Sequence, residues 1–371
     1  MAIGLYIHVP FCLSKCPYCD FYSLAGQDAA AMDAYTAAME QALDRWSARL
    51  GLTADTLYFG GGTPSLLGGA RLARLVEHAA RRFGLSGAEI TLEANPADDL
   101  DDTLRAFAAA GGNRLSMGMQ SASGEELRRL GRRHTPVQLE RAMDAAARAG
   151  LSNVSLDLML GISGQTPASA EQSVRTCARL GARHASAYLL KIEEGTPYAS
   201  RRDALDLPDE DAAAALYETA GAALEAAGYR QYEISNFAQP GYESRHNLKY
   251  WDEQPYLGLG PSAHSFLDGR RFYFPRDMAA FLAGKPPLPE AEDDSTIPEN
   301  SPEEYLMLRL RLAEGVTEAG YAARFGQPLP ANWRRRAAAL PRELVHCDET
   351  GIRLTRRGFL LSNAILARLL G

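Results

Sequence analysis

The sequence has 371 residues, of which 46% are hydrophobic, which is enough for one large folded unit with a smaller appendage. Its formal net charge of −7, from 39 basic and 46 acidic side chains, argues against a nucleic-acid-binding protein, because such a protein needs a basic face. No apolar run reaches the roughly 18 residues of a membrane helix, and the first residues lack the basic and apolar segments of a signal peptide. We therefore expect a cytoplasmic protein that does not insert into a membrane.

The first half of the chain alternates short apolar runs with longer segments whose apolar residues recur at helical spacing. The short runs predict six strands, and the longer segments predict helices between them. Six such βα units indicate a parallel sheet covered by helices, and the pattern alone fits an incomplete (β/α)6 barrel and a doubly wound open sheet nearly equally well. The predicted strands are 5–9, 56–59, 89–93, 114–117, 154–160 and 184–190, and the predicted helices are 30–50, 70–83, 100–110, 138–149 and 168–180.

An irregular stretch separates this predicted sheet from the carboxy-terminal part of the chain. A long helix is predicted over 211–227, and an aromatic-rich stretch follows over 229–274. Residues 285–294 are rich first in proline and then in acidic side chains, which is typical of a linker. The last part predicts a small unit, whose elements are helices over 303–312 and 359–370 and a strand over 352–355.

Three cysteines lie close together near the start of the chain, Cys12, Cys16 and Cys19, in the spacing C-x3-C-x2-C. Thiolates this close in sequence can point into one loop, and thiolate is the soft ligand that iron–sulfur clusters take. Structural zinc requires four closed ligands, and a disulfide framework requires a secreted chain dense in cysteine, whereas this chain has five cysteines in all. The spacing therefore favours a 4Fe-4S cluster with one iron left to bind a small molecule.

Polar and glycine residues follow the predicted strands. Gly60-Gly61-Gly62 and Thr63 end the second strand, and glycine lets a backbone approach a ligand closely, although an ordinary tight turn would use the same residues. In a parallel barrel the functional side chains lie at the carboxy-terminal ends of the strands. A carboxylate within an apolar strand is also costly unless it is partnered. We therefore expect one site at this end, with side chains from Glu93, Gln120, Arg132 and Asp157.

The aromatic-rich stretch contains His246, Asn247, Tyr250 and Trp251 in the pattern H-N-x-x-Y-W. A histidine imidazole can ligate haem iron, and tyrosine and tryptophan offer flat apolar surfaces to a porphyrin. The chemistry alone slightly favours a packed aromatic loop with a core histidine.

The run from Tyr6 to Cys12, followed by Cys16-Pro17-Tyr18-Cys19, resembles the opening of a radical S-adenosylmethionine protein, and more narrowly of the oxygen-independent coproporphyrinogen III oxidase group. The H-N-x-x-Y-W motif resembles the mark of the haem chaperone (HemW) branch of that group, where it is associated with haem. In the oxidases an extra cysteine closely follows the third cluster cysteine and a longer amino-terminal extension precedes the first. Here Asp20-Phe21-Tyr22-Ser23 follows Cys19, so the resemblance favours the chaperone branch.

The resemblance implies an α/β fold with an incomplete (β/α)6 parallel barrel of the radical S-adenosylmethionine type and a small, mainly helical carboxy-terminal domain. It divides the chain into a barrel at 1–235, an aromatic-rich segment with the motif and linker at 236–290, and the small domain at 291–371. Carried over residue by residue, it implies an S-adenosylmethionine site of Tyr6, Tyr18, Gly61, Gly62, Thr63, Glu93, Gln120, Arg132 and Asp157, and a haem site of His246, Asn247, Tyr250 and Trp251.

Two functions are consistent with this resemblance. The first is a haem chaperone that binds a 4Fe-4S cluster, S-adenosylmethionine and haem and transfers haem to an acceptor protein. The second is an enzyme, the oxygen-independent coproporphyrinogen III oxidase, in which a 5′-deoxyadenosyl radical initiates decarboxylation to protoporphyrinogen IX. Either function implies a cellular reductant such as a flavodoxin or ferredoxin, and the sequence leaves open a homodimer, the cleavage of S-adenosylmethionine and the roles of Cys177, Cys347 and His264.

Overall fold

The structure is a computed structural model that describes residues 2–289 and 297–371. The predicted acidic run at 290–294 and the predicted boundary between residues 290 and 291 lie outside the described residues. Within the described ranges, no helix combines the length and the hydrophobicity that are needed to cross a membrane.

The first half of the chain forms the alternating strands and helices that the periodicity predicts. A short 3₁₀ helix at Pro64–Leu67 follows the second long strand. In chain order the elements are β1 (Ala2–Val9), β2 (Phe11–Cys12), β3 (Leu24–Ala25), α1 (Ala29–Leu50), β4 (Thr53–Gly61), α2 (Gly69–Phe83), β5 (Glu89–Ala94), α3 (Asp101–Ala109), β6 (Arg114–Gln120), α4 (Gly124–Arg129), α5 (Pro136–Arg148), β7 (Asn153–Leu160), α6 (Pro167–Arg179) and β8 (His184–Leu189).

The second half has shorter elements and begins after a 3₁₀ helix at Ala199–Ala204. In chain order these are α7 (Glu210–Ala226), β9 (Arg230–Gln231), β10 (Asn236–Ala238), α8 (Arg245–Trp251), β11 (Tyr256–Leu259), β12 (His264–Leu267), β13 (Arg270–Tyr273), α9 (Met278–Leu282), β14 (Leu288–Pro289), α10 (Pro302–Arg309), β15 (Val316–Thr317), α11 (Glu318–Phe325), α12 (Ala331–Ala338), β16 (Val345–Asp348), β17 (Gly351–Leu354), α13 (Arg356–Leu360) and α14 (Ser362–Leu370).

One sheet of twelve strands forms the core, in the order β14-β13-β12-β11-β1-β4-β5-β6-β7-β8-β10-β9. The strands from β11 through β1 to β8 are parallel, and the strands at both edges are antiparallel. The six predicted strands lie side by side in chain order, without the reversal that defines a doubly wound sheet. This arrangement confirms the prediction of an incomplete (β/α)6 barrel.

Alternation along the strands gives the barrel an apolar outer face and a polar interior. The outward side chains pack beneath the helices; Leu57, Leu92 and Leu115, for example, are completely buried there. Helix α5 shows how the sequence builds this layer. A capping box between Thr135 and Gln138 begins the helix, and apolar residues at three- to four-residue spacing form its buried face.

The aromatic-rich stretch, predicted to be irregular, instead adds strands to the barrel sheet. Strand β11 pairs in parallel with β1, and β12 and β13 extend the sheet beyond it. Each of these strands has only four residues. Gly258 interrupts β11, and Gly260 and Gly269 lie between the strands, so the sequence shows no sustained alternation there.

The carboxy-terminal part packs around a hydrophobic cluster of its own, which includes Tyr321, Trp333 and Ile352. Five helices, α10 to α14, surround a three-stranded sheet of β15, β17 and β16, so the unit is mainly helical. The predicted helix at 359–370 is two helices, because the backbone at Leu361 departs from helical geometry. A backbone hydrogen bond from the Ile234 amide to the Arg311 carbonyl, 2.8 Å long, joins this unit to the barrel.

Candidate functional site

A cavity of about 530 Å³ opens at the carboxy-terminal ends of the barrel strands, and we call this end the mouth. Eleven of the twelve residues that were predicted for the cluster and for S-adenosylmethionine line it. Only Tyr6 does not; it lies deeper, where its hydroxyl hydrogen-bonds His8 Nδ1 at 3.0 Å. The eleven are Cys12, Cys16, Tyr18, Cys19, Gly61, Gly62, Thr63, Glu93, Gln120, Arg132 and Asp157.

The cysteine loop is fixed at its base and by contacts from other strands. Strands β2 and β3 pair below it, and the Cys19 amide donates to the Cys16 carbonyl at 3.1 Å. Arg132 Nη1 lies 3.6 Å from Cys16 Sγ, and Thr63 Oγ1 lies 3.6 Å from Cys12 Sγ. Within the described ranges, no three His, Cys, Asp or Glu side chains are arranged to hold a single metal ion. The three thiols face one cavity, and thiolates are the ligands that iron–sulfur clusters take.

The glycine turn at the end of β4 packs directly against this loop. Gly61 has a φ of 113°, and a Cβ atom there would lie 2.6 Å from the ring of His8. A Cβ atom at Gly62 would lie 2.5 Å from the Phe11 carbonyl oxygen. Both positions therefore exclude any larger residue. Because the turn packs this closely against the cysteine loop, its backbone lines the cavity beside the cysteines.

Two half-buried carboxyl groups line the bottom of the mouth cavity. Glu93 accepts hydrogen bonds from the Tyr58 hydroxyl at 2.8 Å and from the Gly61 amide at 3.3 Å. Asp157 accepts one from Ser116 at 3.3 Å. Burial raises the pKa of Glu93 to about 7 and the pKa of Asp157 to about 6. Carboxyl groups with such raised pKa values are typical of functional sites, where they can bind hydroxyl and amino groups.

Gln120 and Arg132 complete the wall opposite the glycine turn. Gln120 has a φ of 64°, which is unusual for a residue other than glycine, and its buried Oε1 has no hydrogen-bond partner among the described residues. Arg132 donates to the Gly118 carbonyl at 3.0 Å, while its Nε has no partner in the same part of the chain. Strained backbone and orphaned polar atoms together indicate a ligand site. An arginine beside thiols suits a ligand that carries a carboxylate.

The H-N-x-x-Y-W motif lies at the opposite, amino-terminal end of the barrel, which we call the floor end. It forms α8, whose first amides are bonded by Glu89 at the start of β5. His246 is 1% exposed. Its Nδ1 is 2.7 Å from Thr56 Oγ1 and its Nε2 is 2.8 Å from the Tyr250 hydroxyl. The motif therefore closes the barrel from below.

The predicted haem residues, as folded, do not fit an axial ligand of haem iron. Such a ligand needs an imidazole nitrogen that is free to face the iron, and both ring nitrogens of His246 are already hydrogen-bonded. The ring also stacks on Tyr58 at a centroid distance of 5.1 Å, and burial lowers its pKa to about 3. Burial raises the pKa of Glu233 to about 7, and the Trp251 side chain beside it acts in the opposite direction. None of the four predicted residues, His246, Asn247, Tyr250 and Trp251, lines the mouth cavity.

Several residues of the mouth were missed from the sequence. Tyr58 holds Glu93, Ser116 holds Asp157, and Tyr188 lines the cavity at the end of β8. Their polar side chains stand at alternate positions within otherwise apolar strands, and this alternation was the available signal. Phe21, which follows the cysteine loop, lines the rim and is 66% exposed.

Comparison with known proteins agrees with this geometry. The model of the Radical SAM superfamily matches residues 6–177, and that of the HemN C-terminal domain matches residues 298–361. Proteins named heme chaperone HemW from Mycobacterium tuberculosis and Bacillus subtilis are 38% and 35% identical over 99% of this chain, and the matches cover 95% and 98% of those proteins. This chain belongs to the HemW family. The predicted membership of the radical S-adenosylmethionine superfamily and the predicted closeness to HemW are therefore confirmed.

Other relatives extend the comparison. Heme chaperone HemW of Escherichia coli is 39% identical over 87% of this chain and 86% of its own length. The solved structure of coproporphyrinogen III oxidase (HemN) from Escherichia coli matches 99% of this chain and 90% of that chain with a TM-score of 0.83 at 23% identity. That likeness establishes a shared fold between this HemW family member and HemN.

Proposed function

We propose that this HemW family member is a haem chaperone that binds a 4Fe-4S cluster, S-adenosylmethionine and haem, and that transfers haem to an acceptor protein. The observation that carries the proposal is the mouth cavity, where three cysteines share one space with the glycine turn and with two carboxyl groups. The similar proteins from three bacteria bear the name heme chaperone, which supports the chaperone function over the oxidase.

Cys12, Cys16 and Cys19 would hold the cluster and would leave one iron open toward the cavity. When bound, the cluster supplies an electron to a ligand on that iron. Arg132 and Thr63 contact two of the three thiols and would keep the loop in place. The β2–β3 pair beneath the loop fixes where the cysteines face.

The remaining residues of the mouth would hold S-adenosylmethionine. Arg132 is suited to the ligand carboxylate, because a guanidinium matches a carboxylate in geometry and charge. Glu93 and Asp157 are suited to its amino group and its ribose hydroxyls. The unpaired Oε1 of Gln120 needs a donor, which an adenine or hydroxyl group offers. Tyr18, Gly61, Gly62 and Thr63 would enclose the ligand from the cysteine side.

Haem would lie across the rim of the mouth, not against His246. Three of the eight large hydrophobic side chains that are exposed in the described ranges lie on the cysteine loop or line the cavity. A porphyrin has flat apolar faces, so it can cover such side chains and shield them from water. The three are Leu13, Phe21 and Tyr188. An acceptor protein and a reductant such as a flavodoxin or ferredoxin complete the proposal.

The test is an anaerobic haem-transfer assay with cluster-reconstituted, full-length protein. Haem-loaded protein is mixed with an excess of an apo-haem protein, and the transfer is followed by the haem absorbance of the acceptor. The proposal predicts transfer faster than from free haem and no protoporphyrinogen when coproporphyrinogen III, S-adenosylmethionine and reductant are supplied instead. Sustained protoporphyrinogen formation would make the protein an oxidase, and failure of both assays would leave a cluster protein without either function.

A further inference from the structure

Arg114 is a buried arginine in the barrel interior, below the bottom of the mouth cavity. It begins β6, is 1% exposed, and is the largest of the fully buried side chains. Its Nε has no hydrogen-bond partner among the described residues. A buried guanidinium is costly unless nearby negative charge compensates it, so its presence in the barrel interior requires an explanation.

The strand register places Arg114 in the barrel interior below both carboxyl groups, one layer below Glu93. It pairs with Thr91 on β5 and with Asn153 on β7. Two residues further along, on the same faces of the strands, Ser116 pairs with Glu93, and Ser116 also hydrogen-bonds Asp157. The arginine therefore lies one layer beneath Glu93, and Asp157 lies one layer further toward the mouth on β7.

The neighbours of Arg114 in its own layer carry no charge that could neutralise it. Thr91 and Asn153 are uncharged, and Thr91 Oγ1 and Asn153 Oδ1 also lack partners in the described part of the chain. Carboxyl groups lie above and below this layer: Glu93 and Asp157 lie toward the mouth, and Glu89, two residues before Thr91 on β5, already accepts the first amides of α8. The positive charge of Arg114 lowers the pKa of Glu93 and of Asp157 and so opposes the effect of burial.

The other groups around these two acids do not replace Arg114. Among the described groups that act on them, the only second cation is Arg132, and its guanidinium is bonded to Cys16 and to the Gly118 carbonyl at the cysteine loop. The remaining titratable groups that face Glu93 or Asp157 are neutral at pH 7 or acidic: Tyr6, Tyr58, Cys177, Tyr188, Tyr250 and, for each acid, the other one.

We propose that Arg114 is a positioning residue that favours the ionised forms of Glu93 and Asp157 from below, so that the mouth binds the cationic amino group and the ribose hydroxyls of S-adenosylmethionine. This inference rests on the proposed function, because it concerns the same cavity. Arg114 does not line that cavity and acts through the two acids.

The sign of the effect follows from the charges. Loss of the arginine removes a cation that favours the ionised acids, so both pKa values rise further above their usual range. A smaller fraction of each acid is then ionised at pH 7, and the ligand is bound more weakly. Raising the pH restores the ionised form, so the factor by which binding is weakened is largest at the acidic end of the range and shrinks toward pH 9.

The experiment measures S-adenosylmethionine affinity by equilibrium dialysis from pH 5.5 to 9, under anaerobic conditions, with cluster-reconstituted full-length protein. The variants are Arg114→Met, Arg114→Lys and, as a matched control, Arg141→Met at an exposed position of α5. We expect Arg114→Met to move the midpoint of the pH profile upward by about one unit and to weaken binding about tenfold at pH 7. Arg114→Lys should remain close to the wild type, and Arg141→Met should match it.

Two results would overturn the assignment of Arg114. The first is a profile of Arg114→Met that superimposes on the wild type, and the second is weakening by the same factor at every pH, as a merely structural role would give. If Arg114→Met does not fold, Arg114→Gln removes the charge while it retains hydrogen-bonding groups, and it is judged by the same criteria. If the wild type itself binds no S-adenosylmethionine at any pH, the proposed function fails and the role of Arg114 falls with it.

Discussion

Inward-facing side chains of the same strands form both ends of the barrel, yet the mouth is open and the floor end is closed. At the mouth, Gln120 Oε1 and Arg132 Nε lack partners among the described residues, and the backbone of Gln120 is strained. At the floor end, His246 has both ring nitrogens hydrogen-bonded within the protein. Buried polar groups that the fold leaves unsatisfied mark a binding site, whereas satisfied ones mark structure.

The comparison also separates the two motifs that the sequence offers for ligands. The cysteine loop projects from the end of a strand into an open cavity, where a bound group can reach it. Helix α8 lies between the barrel and the carboxy-terminal domain, since Asp252 just beyond it pairs with Arg309 and Glu253 pairs with Arg324 at 3.2 Å. The H-N-x-x-Y-W motif therefore joins two parts of the fold.

The largest effect is expected from the loss of one cluster cysteine at the mouth. Cys16→Ala should abolish iron and acid-labile sulfide in the reconstituted protein, because two thiolates are too few to hold a 4Fe-4S cluster. Cys347→Ala is the matched control, since Cys347 is also a half-buried free thiol but lies outside the cavity. Both contents are measured by chemical assay. Full iron and sulfide in Cys16→Ala would place the cluster elsewhere.

At the floor end we expect a large effect on stability and no effect on haem binding. His246→Leu leaves the hydroxyls of Thr56 and Tyr250 without their partner, at about 1–3 kcal/mol for each buried group. We expect urea unfolding to show a loss of about 2–4 kcal/mol, while haem affinity and the haem absorbance spectrum stay those of the wild type. His346→Leu, at an exposed position, is the control. If His246→Leu lost haem binding and kept its stability, His246 would belong to the haem site.

An opposite effect on stability is expected at the mouth. Burial raises the pKa of Asp157 from 3.8 to about 6, so its contribution to folding is present below pH 3.8 and is lost as the pH rises through about 6. Asp157→Asn should therefore stabilise the ligand-free protein at pH 7.5 by about 1–2 kcal/mol and should weaken S-adenosylmethionine binding.

Thermal unfolding at pH 4 and pH 7.5, together with equilibrium dialysis, checks this prediction. The stabilisation should nearly vanish at pH 4, where the wild-type carboxyl is largely protonated. Asp144→Asn, at an exposed position of α5, should change neither quantity. A variant of Asp157 that is less stable at pH 7.5 and still binds the ligand tightly would show that this carboxyl group has a structural role only.

The smallest effect is expected at the rim. Phe21→Ser removes a ring that is 66% exposed, and the lost contact with a porphyrin is worth about 1 kcal/mol, or about a fivefold loss of haem affinity. Leu361→Ser removes a side chain that is 49% exposed on the carboxy-terminal unit and should leave haem affinity unchanged. Titration of haem by absorbance compares the two. Equal affinities for both variants and the wild type would exclude Phe21 from the haem site.

The mouth could be predicted from the sequence because its residues belong to local patterns. The cysteine spacing, the glycine triplet at the end of β4 and the polar residues that end β5 and β6 each lie at a strand that periodicity reveals. The position of His246 could not be predicted in this way. It depends on how a short helix between β10 and β11 packs beneath strands that lie some 190 residues away in sequence, as the bond to Thr56 shows.

The role of Arg114 could not be predicted from the sequence either. Its strand was predicted, but a lone arginine at the start of an apolar run suggests a solvated strand end. Only the register between β5, β6 and β7 places it inside the barrel and below two acids. Side chains whose role depends on three strands at once require the fold before they can be interpreted.

The most direct test of the contrast between the two ends is electron paramagnetic resonance of the reduced, cluster-reconstituted protein with and without S-adenosylmethionine. If the ligand binds the open iron at the mouth, the spectrum of the cluster should change on its addition in the wild type and in His246→Leu alike. An unchanged spectrum in the wild type, with the cluster present at full content, would contradict the assignment of the mouth as the S-adenosylmethionine site.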